Sequence, residues 1–140
     1  MAPAASAAPA SIDVREALIL FAHGARDPDW ALPFRAIRDR VAALRPDLVV
    51  ELAFLELMTP RLGDAVDELA ARVQRITVAP LFMAQGGHLK QDVPRLLADI
   101  GERHPGVSVT LLPPVGEIPA ILEAISGWLV AALPQPEKDV

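Results

Sequence analysis

Apolar runs alternate with amphipathic stretches four times along this chain, and that alternation constrains the fold more than any other feature. The runs are Ala17 to Ala22, Leu48 to Leu55, Ile76 to Phe82 and Val107 to Leu112. After each comes a segment with one apolar face at steps of three and four: Phe34, Ile37, Val41 and Leu44; Leu62, Val66, Leu69 and Val73; Val93, Leu96, Leu97 and Ile100; Ile118, Ile121, Leu122, Ile125 and Leu129. A near-continuous apolar strand followed by a one-sided helix demands a parallel sheet joined by right-handed crossovers. The expected fold is therefore one α/β domain of the flavodoxin-like type, with a four-stranded parallel sheet and helices on both faces. All four strands then end on one edge, and the loops opening at His23, Glu56, Gly86 to His88 and Pro114 to Gly116 share a rim.

The domain is expected over residues 17–133. Residues 1–16, mostly Ala, Pro and Ser until Asp13, Arg15 and Glu16, read as a flexible tail, and 134–140 as a second polar, Pro-broken one. The Ala-Pro start supplies neither the basic head nor the apolar middle of a signal peptide. No apolar run approaches the roughly 20 residues of a membrane span, so a cytoplasmic protein is expected. The net charge is −5, which argues against a broad phosphate-binding surface and hence against nucleic acid as a partner. The chain has no cysteine, which excludes disulfides, thiolate metal sites and a cysteine nucleophile within it.

Two of the apolar runs stop at histidines: Phe21-Ala22 leads into His23-Gly24, and Pro80-Leu81-Phe82 leads through Gly86-Gly87 to His88. A lone loop histidine most simply bonds backbone near a turn. Two of them on one rim form the best candidate here for holding a borderline divalent metal such as cobalt, iron, nickel or zinc. Glu56 leaves the second strand on the same rim, where a carboxylate can complete a metal site or accept a proton. Arg26, Arg61 and Lys90 lie close by in sequence and suit a substrate bearing carboxylates, although each is also an ordinary surface charge. Asp92 with Pro94 reads as a helix cap and an early helical proline, with a role in orienting a metal-bound imidazole as the alternative. His104, before Pro105 at a helix end, is expected to be an exposed terminal residue without a role.

Other readings lack parts. Ala22 stands where a histidine phosphatase has Arg before its His-Gly; neither Ser108 nor Ser126 lies in a Gly-x-Ser-x-Gly elbow; no Gly-x-Gly-x-x-Gly or P-loop occurs.

The elements Leu20-Phe21-Ala22-His23-Gly24-Ala25-Arg26, Phe54-Leu55-Glu56 with Pro60, and Pro80 through His88 with Asp92-Val93-Pro94 resemble the class II tetrapyrrole chelatases, specifically short sirohydrochlorin chelatases of the CbiX type. Ala25 departs from a serine frequent in that family. The resemblance implies a lyase that inserts a divalent metal, cobalt before iron or nickel, into sirohydrochlorin on the way to cobalamin or siroheme. His23 and His88 would hold the metal and Glu56 would be their acidic partner. Gly86 and Gly87 would line the substrate with Arg26, Arg61 and Lys90, no organic cofactor would be needed, and short members would pair as homodimers. The competing readings are a metal carrier or sensor domain without insertion activity, and a flavodoxin-like binding module in which both histidines are structural.

Overall fold

The computed structural model describes residues 15–139. Residues 1–14 of the stretch read as a tail lie outside them, while Glu16, assigned to that tail, is the first residue of a strand. The apolar runs form β1 (Glu16–Ala22), β2 (Val49–Phe54), β3 (Arg75–Pro80) and β4 (Ser108–Leu111) of one all-parallel sheet in the order β2-β1-β3-β4. The connecting helices are α1 (Leu32–Leu44), reached through a short 3-10 turn at Pro28–Ala31, α2 (Leu62–Ala70) and α3 (Gly87–Arg103). A second 3-10 turn, Val115–Glu117, precedes α4 (Pro119–Ala132).

The chain moves outward from β1 to β2, then returns past β1 to β3 and β4, so right-handed crossovers put α1 on one face and α2 and α3 on the other. The α2–α3 side holds the larger core. Ile19, Phe21, Ile76 and Val78 of the sheet are buried there with Val66, Leu69 and Ile100. Each such side chain contributes about 1.5–3 kcal/mol on leaving water. The α1 side is thinner: Leu20, Ala22, Ala31, Leu52 and Phe54 are buried beneath Trp30 and Phe34, whose rings lie 4.7 Å apart.

Three expectations need correction. The Gly86-Gly87-His88 segment is not a loop ahead of a helix capped by Asp92. Gly86 is itself the N-cap, without a side-chain bond, and α3 starts at Gly87, placing His88 in its first turn and Asp92 and Pro94 inside it. An extended Gly86 lets Lys90 N–H bond the Gly86 carbonyl, closing the turn early. Pro94, by lacking an N–H, leaves the Lys90 carbonyl without its helical partner. Second, the apolar face expected to pack α4 inward does not do so, for α4 has no buried residue. Third, Ile37 and Leu44 of α1 and Leu96 of α3 are exposed rather than inward.

His104 also has a structural job. Its Nε2 lies 2.9 Å from Asp67 Oδ1, and Arg103 donates to the same carboxylate at 3.0 and 3.2 Å, clipping α3 to α2. The hydrogen bond to His104, then that to Arg103, holds the Asp67 carboxyl below its usual range. A depressed folded-state pKa stabilises above the unfolded value and is lost as pH falls through the folded one. Asp67→Asn is therefore expected to cost under about 1 kcal/mol at neutral pH, since the pair is half-exposed. Urea midpoints of variant and parent should converge as the pH falls below the usual carboxylate range and through the lowered folded-state value of Asp67.

Candidate functional site

In an open parallel sheet, ligands sit beyond the strand C-termini where the strand order reverses, because adjacent loops there turn to opposite faces and leave a crevice. With the order β2-β1-β3-β4, that point lies between β1 and β3. His23 follows β1 directly, and the segment after β3 leads to His88.

The first of these loops is fixed from both sides. Leu81 N–H donates to the Phe21 carbonyl at 2.8 Å, Leu55 N–H to the Ala22 carbonyl at 2.9 Å, and Glu56 N–H to the His23 carbonyl at 3.0 Å. The β ladder thus runs past the formal strand ends until His23 and Glu56 stand side by side, both exposed. The His23 ring rests on Phe82, with centroids 4.4 Å apart, and Phe82 in turn makes an edge contact with Phe21 at 5.1 Å. Sequence reasoning did not single out Phe82. Its position at the end of the third apolar run, two register steps beyond Phe21↔Pro80 and so level with His23, is the signal that finds it.

Gly24 makes this junction possible. It adopts φ +92°, and a Cβ there would lie 1.9 Å from the Glu56 carbonyl oxygen. Leu57, just beyond Glu56, is held at φ 65°, and Met58 N–H bonds the Glu56 carbonyl at 2.8 Å across it. A leucine in the left-handed region is sparsely populated and persists where its surroundings fix it. The Pro114–Gly116 loop is braced similarly: Gly116 N–H donates to the Phe82 carbonyl at 3.1 Å, and a Cβ on Gly116 would meet the Met83 carbonyl.

His88 is exposed in the first turn of α3, and Asp92 lies one turn on, on the same helix face. Arg61 is engaged, for its Nη1 donates to the Leu55 carbonyl at 2.9 Å and so steadies the strand end that presents Glu56. Arg26 and Lys90 are exposed and make no ion pair among the described residues. Among the described residues no group of three or more His, Asp or Glu is gathered so that it could hold a metal ion, so the structure does not bring His23, Glu56 and His88 together as one ligand set. A cavity of about 270 Å³ opens between the sheet and the starts of α2 and α3, lined by Leu55, Arg61, Leu89, Asp92 and Leu96 among others. It falls just below the roughly 300–1,000 Å³ of ordinary ligand pockets, and neither His23, Glu56 nor His88 lines it.

The profile of the CbiX family matches residues 17–129, a span that includes every residue of this rim. The chain belongs to the CbiX family. A CbiX-family match of this extent is joined by relatives named sirohydrochlorin cobaltochelatase. That of Methanosarcina barkeri is 32% identical over 82 residues, 58% of this chain and 63% of its own length. That of Saccharolobus islandicus is 35% identical over 89 residues, 61% of this chain and 66% of its own. The aligned part thus spans a little under two thirds of these relatives. Among solved structures, one described as a cobalamin (vitamin B12) biosynthesis CbiX protein from Marinobacter aquaeolei VT8 superimposes with TM-score 0.70 at 31% identity, covering 83% of this chain and 95% of that one. SirB from Bacillus subtilis with Fe3+ shares the fold at TM-score 0.68 and 23% identity, over 86% of this chain but only 48% of SirB. No helix among the described residues is long and apolar enough to cross a membrane.

Proposed function

We propose that this CbiX-family chain is a cytoplasmic lyase that inserts a divalent metal into sirohydrochlorin, with cobalt as the favoured metal ahead of iron or nickel. The observation that supports the reading is the bond of Glu56 N–H to the His23 carbonyl, which sets these two residues side by side at the strand-order reversal in a chain that matches the CbiX profile over the same residues; His88 stands in the first turn of α3, after β3. The relatives' names support cobalt, whereas the affinity order for imidazole sites alone would favour nickel.

The chemistry suits the residues. A metal that is a substrate must be released, and two imidazoles with water hold it less firmly than a closed four-ligand shell. Two pyrrole N–H protons leave as the metal enters, and Glu56 or a free imidazole at the exposed rim can take them with solvent as the sink. Arg26 and Lys90 supply positive charge for the substrate's carboxylates, Arg61 does so beside its bond to Leu55, and Gly86 and Gly87 let the substrate approach α3 closely. A second copy supplies the opposite wall in a homodimer. No organic cofactor enters.

The test is an anaerobic visible-absorbance assay of sirohydrochlorin with Co2+, Fe2+ and Ni2+ in turn against an enzyme-free control. Acceleration with at least one metal is expected. Metal binding without acceleration would overturn the reading in favour of a carrier or sensor. Glu56→Gln separates two roles for that residue. As proton acceptor, its loss lowers kcat by about 10²-fold or more with metal affinity little changed. As ligand, its loss raises the metal concentration for half-maximal rate, and added metal restores activity. We expect the first pattern; parent-like values in both quantities would remove Glu56 from the site.

A further inference from the structure

Exposed apolar side chains on a folded domain ordinarily need no explanation, because there is too little polar surface to cover it. Leu57 differs in its backbone. It follows Glu56 directly at φ 65°, in the left-handed region where a Cβ crowds the next carbonyl and where asparagine and glycine sit more easily than leucine. A leucine in that conformation is ordinarily offset by burial of its side chain, yet this one is 54% exposed. The loop requires only the turn that Met58 N–H closes on the Glu56 carbonyl, and asparagine would serve that turn better. The fold alone therefore gives no reason for a leucine at this position.

A second exposed apolar residue stands on the other side of His23. Met83 follows Phe82, the ring on which the His23 imidazole rests, and is 58% exposed. Its main chain is fixed, since Gly116 packs so closely on the Met83 carbonyl that a Cβ there would lie 1.6 Å from the oxygen. The strand order puts Leu57, beyond β2, and Met83, beyond β3, on either flank of His23, beyond β1. Strands β2 and β3 are two inter-strand spacings apart, about 10 Å, a breadth that a macrocycle of four pyrrole rings bridges and a single-ring ligand does not.

We propose that Leu57 and Met83 receive the apolar face of the tetrapyrrole, one on each side of His23. The cationic side chains of the rim suit the carboxylates at the substrate's periphery and leave the ring plane itself without a partner; two aliphatic side chains supply one. A thioether packs well against an aromatic surface. Contact with the ring covers the leucine that the fold leaves bare, so the strain at φ 65° is offset when substrate is bound. This proposal rests on the tetrapyrrole reading and names the part of the substrate that these two residues recognise.

The test titrates metal-free sirohydrochlorin against parent and variants by visible absorbance, a readout that requires no insertion. Leu57→Asn should keep or raise the parent's denaturant midpoint, because asparagine suits the left-handed backbone, and should weaken tetrapyrrole binding about 5-fold, the scale of leaving half a leucine uncovered. Met83→Gln, similar in shape but polar, should weaken it several-fold, and Leu57→Met should restore most of the affinity by keeping an apolar side chain. Leu44→Asn, at the far end of α1 where Leu44 is 81% exposed, is the control and should bind as the parent does. Parent-like binding by Leu57→Asn overturns the proposal, and so does a lowered midpoint, which makes the leucine a structural one. A smaller sedimentation mass for Leu57→Asn than for the parent assigns the side chain to contact between copies and overturns it as well. A parent that binds no tetrapyrrole removes both the proposal and the functional reading, whereas the expected pattern in a protein that inserts no metal keeps the proposal and removes only the chelatase activity.

Discussion

His23→Ala is expected to lower catalysed metal insertion by about 10²-fold or more, the scale of losing a group that handles the transferred metal or proton, while the protein stays folded. The imidazole is exposed, and truncating it removes little beyond its contact with Phe82. Such an aromatic contact is worth about 0.5–1.5 kcal/mol. His88→Ala should show the same loss with even less effect on stability, because alanine is well suited to the first turn of α3 where His88 sits. Circular dichroism and turnover measured on the same preparations decide it. Parent-like turnover in either variant would take that histidine out of the site, and unfolding of either would favour a structural histidine.

Gly24→Ala should be damaging twice over, through backbone strain and through a steric clash. The alanine would carry a φ of +92° and set its Cβ 1.9 Å from the Glu56 carbonyl oxygen. The backbone alone costs about 1–2 kcal/mol, and the clash is relieved only by moving the strand end that presents Glu56. A displacement near 1 Å in a reacting constellation lowers rate by about 10²-fold, so both stability and turnover should fall. Gly101→Ala is the control. Nothing lies within 4 Å of a Cβ there, the residue is inside α3, and a gain of about 1 kcal/mol is expected. Denaturant midpoints and insertion rates for the two variants provide the check; a Gly24→Ala protein equal to the parent in both would mean that the two loops are not coupled through this glycine.

The layout of the sheet was legible because the central strand β1 is buried or half-buried at every position and β3 is apolar at all but Arg75 and Thr77, a near-continuous apolar pattern little else produces. The rim followed from it, since the residues after those strands can only lie at one edge. Periodicity reports that one side of a helix is apolar but not what covers it, so α4 read as an inward helix although no sheet of its own lies beneath it. The start of α3 was misplaced because Asp92 and Pro94 carry a stronger local signal than glycines do, while Leu89, one turn before Val93, already continued the apolar face. The contacts of Gly24 with Glu56 and of Gly116 with Met83 join residues far apart in sequence, and no local pattern encodes them.

The two histidines stand on supports of unequal stiffness. His23 ends the strand with neighbours on both sides, and the amides of Leu55, Glu56 and Leu81 are bonded to the carbonyls of Phe21 to His23. His88 stands on two helical turns that begin at a glycine without a side-chain cap and end where Pro94 leaves the Lys90 carbonyl free. Backbone held on one side and interrupted in its ladder opens at lower free energy than a central strand. Under the proposed function, a metal held by both would have one fixed jaw and one that yields, and a jaw that yields is what lets cargo be handed on rather than kept.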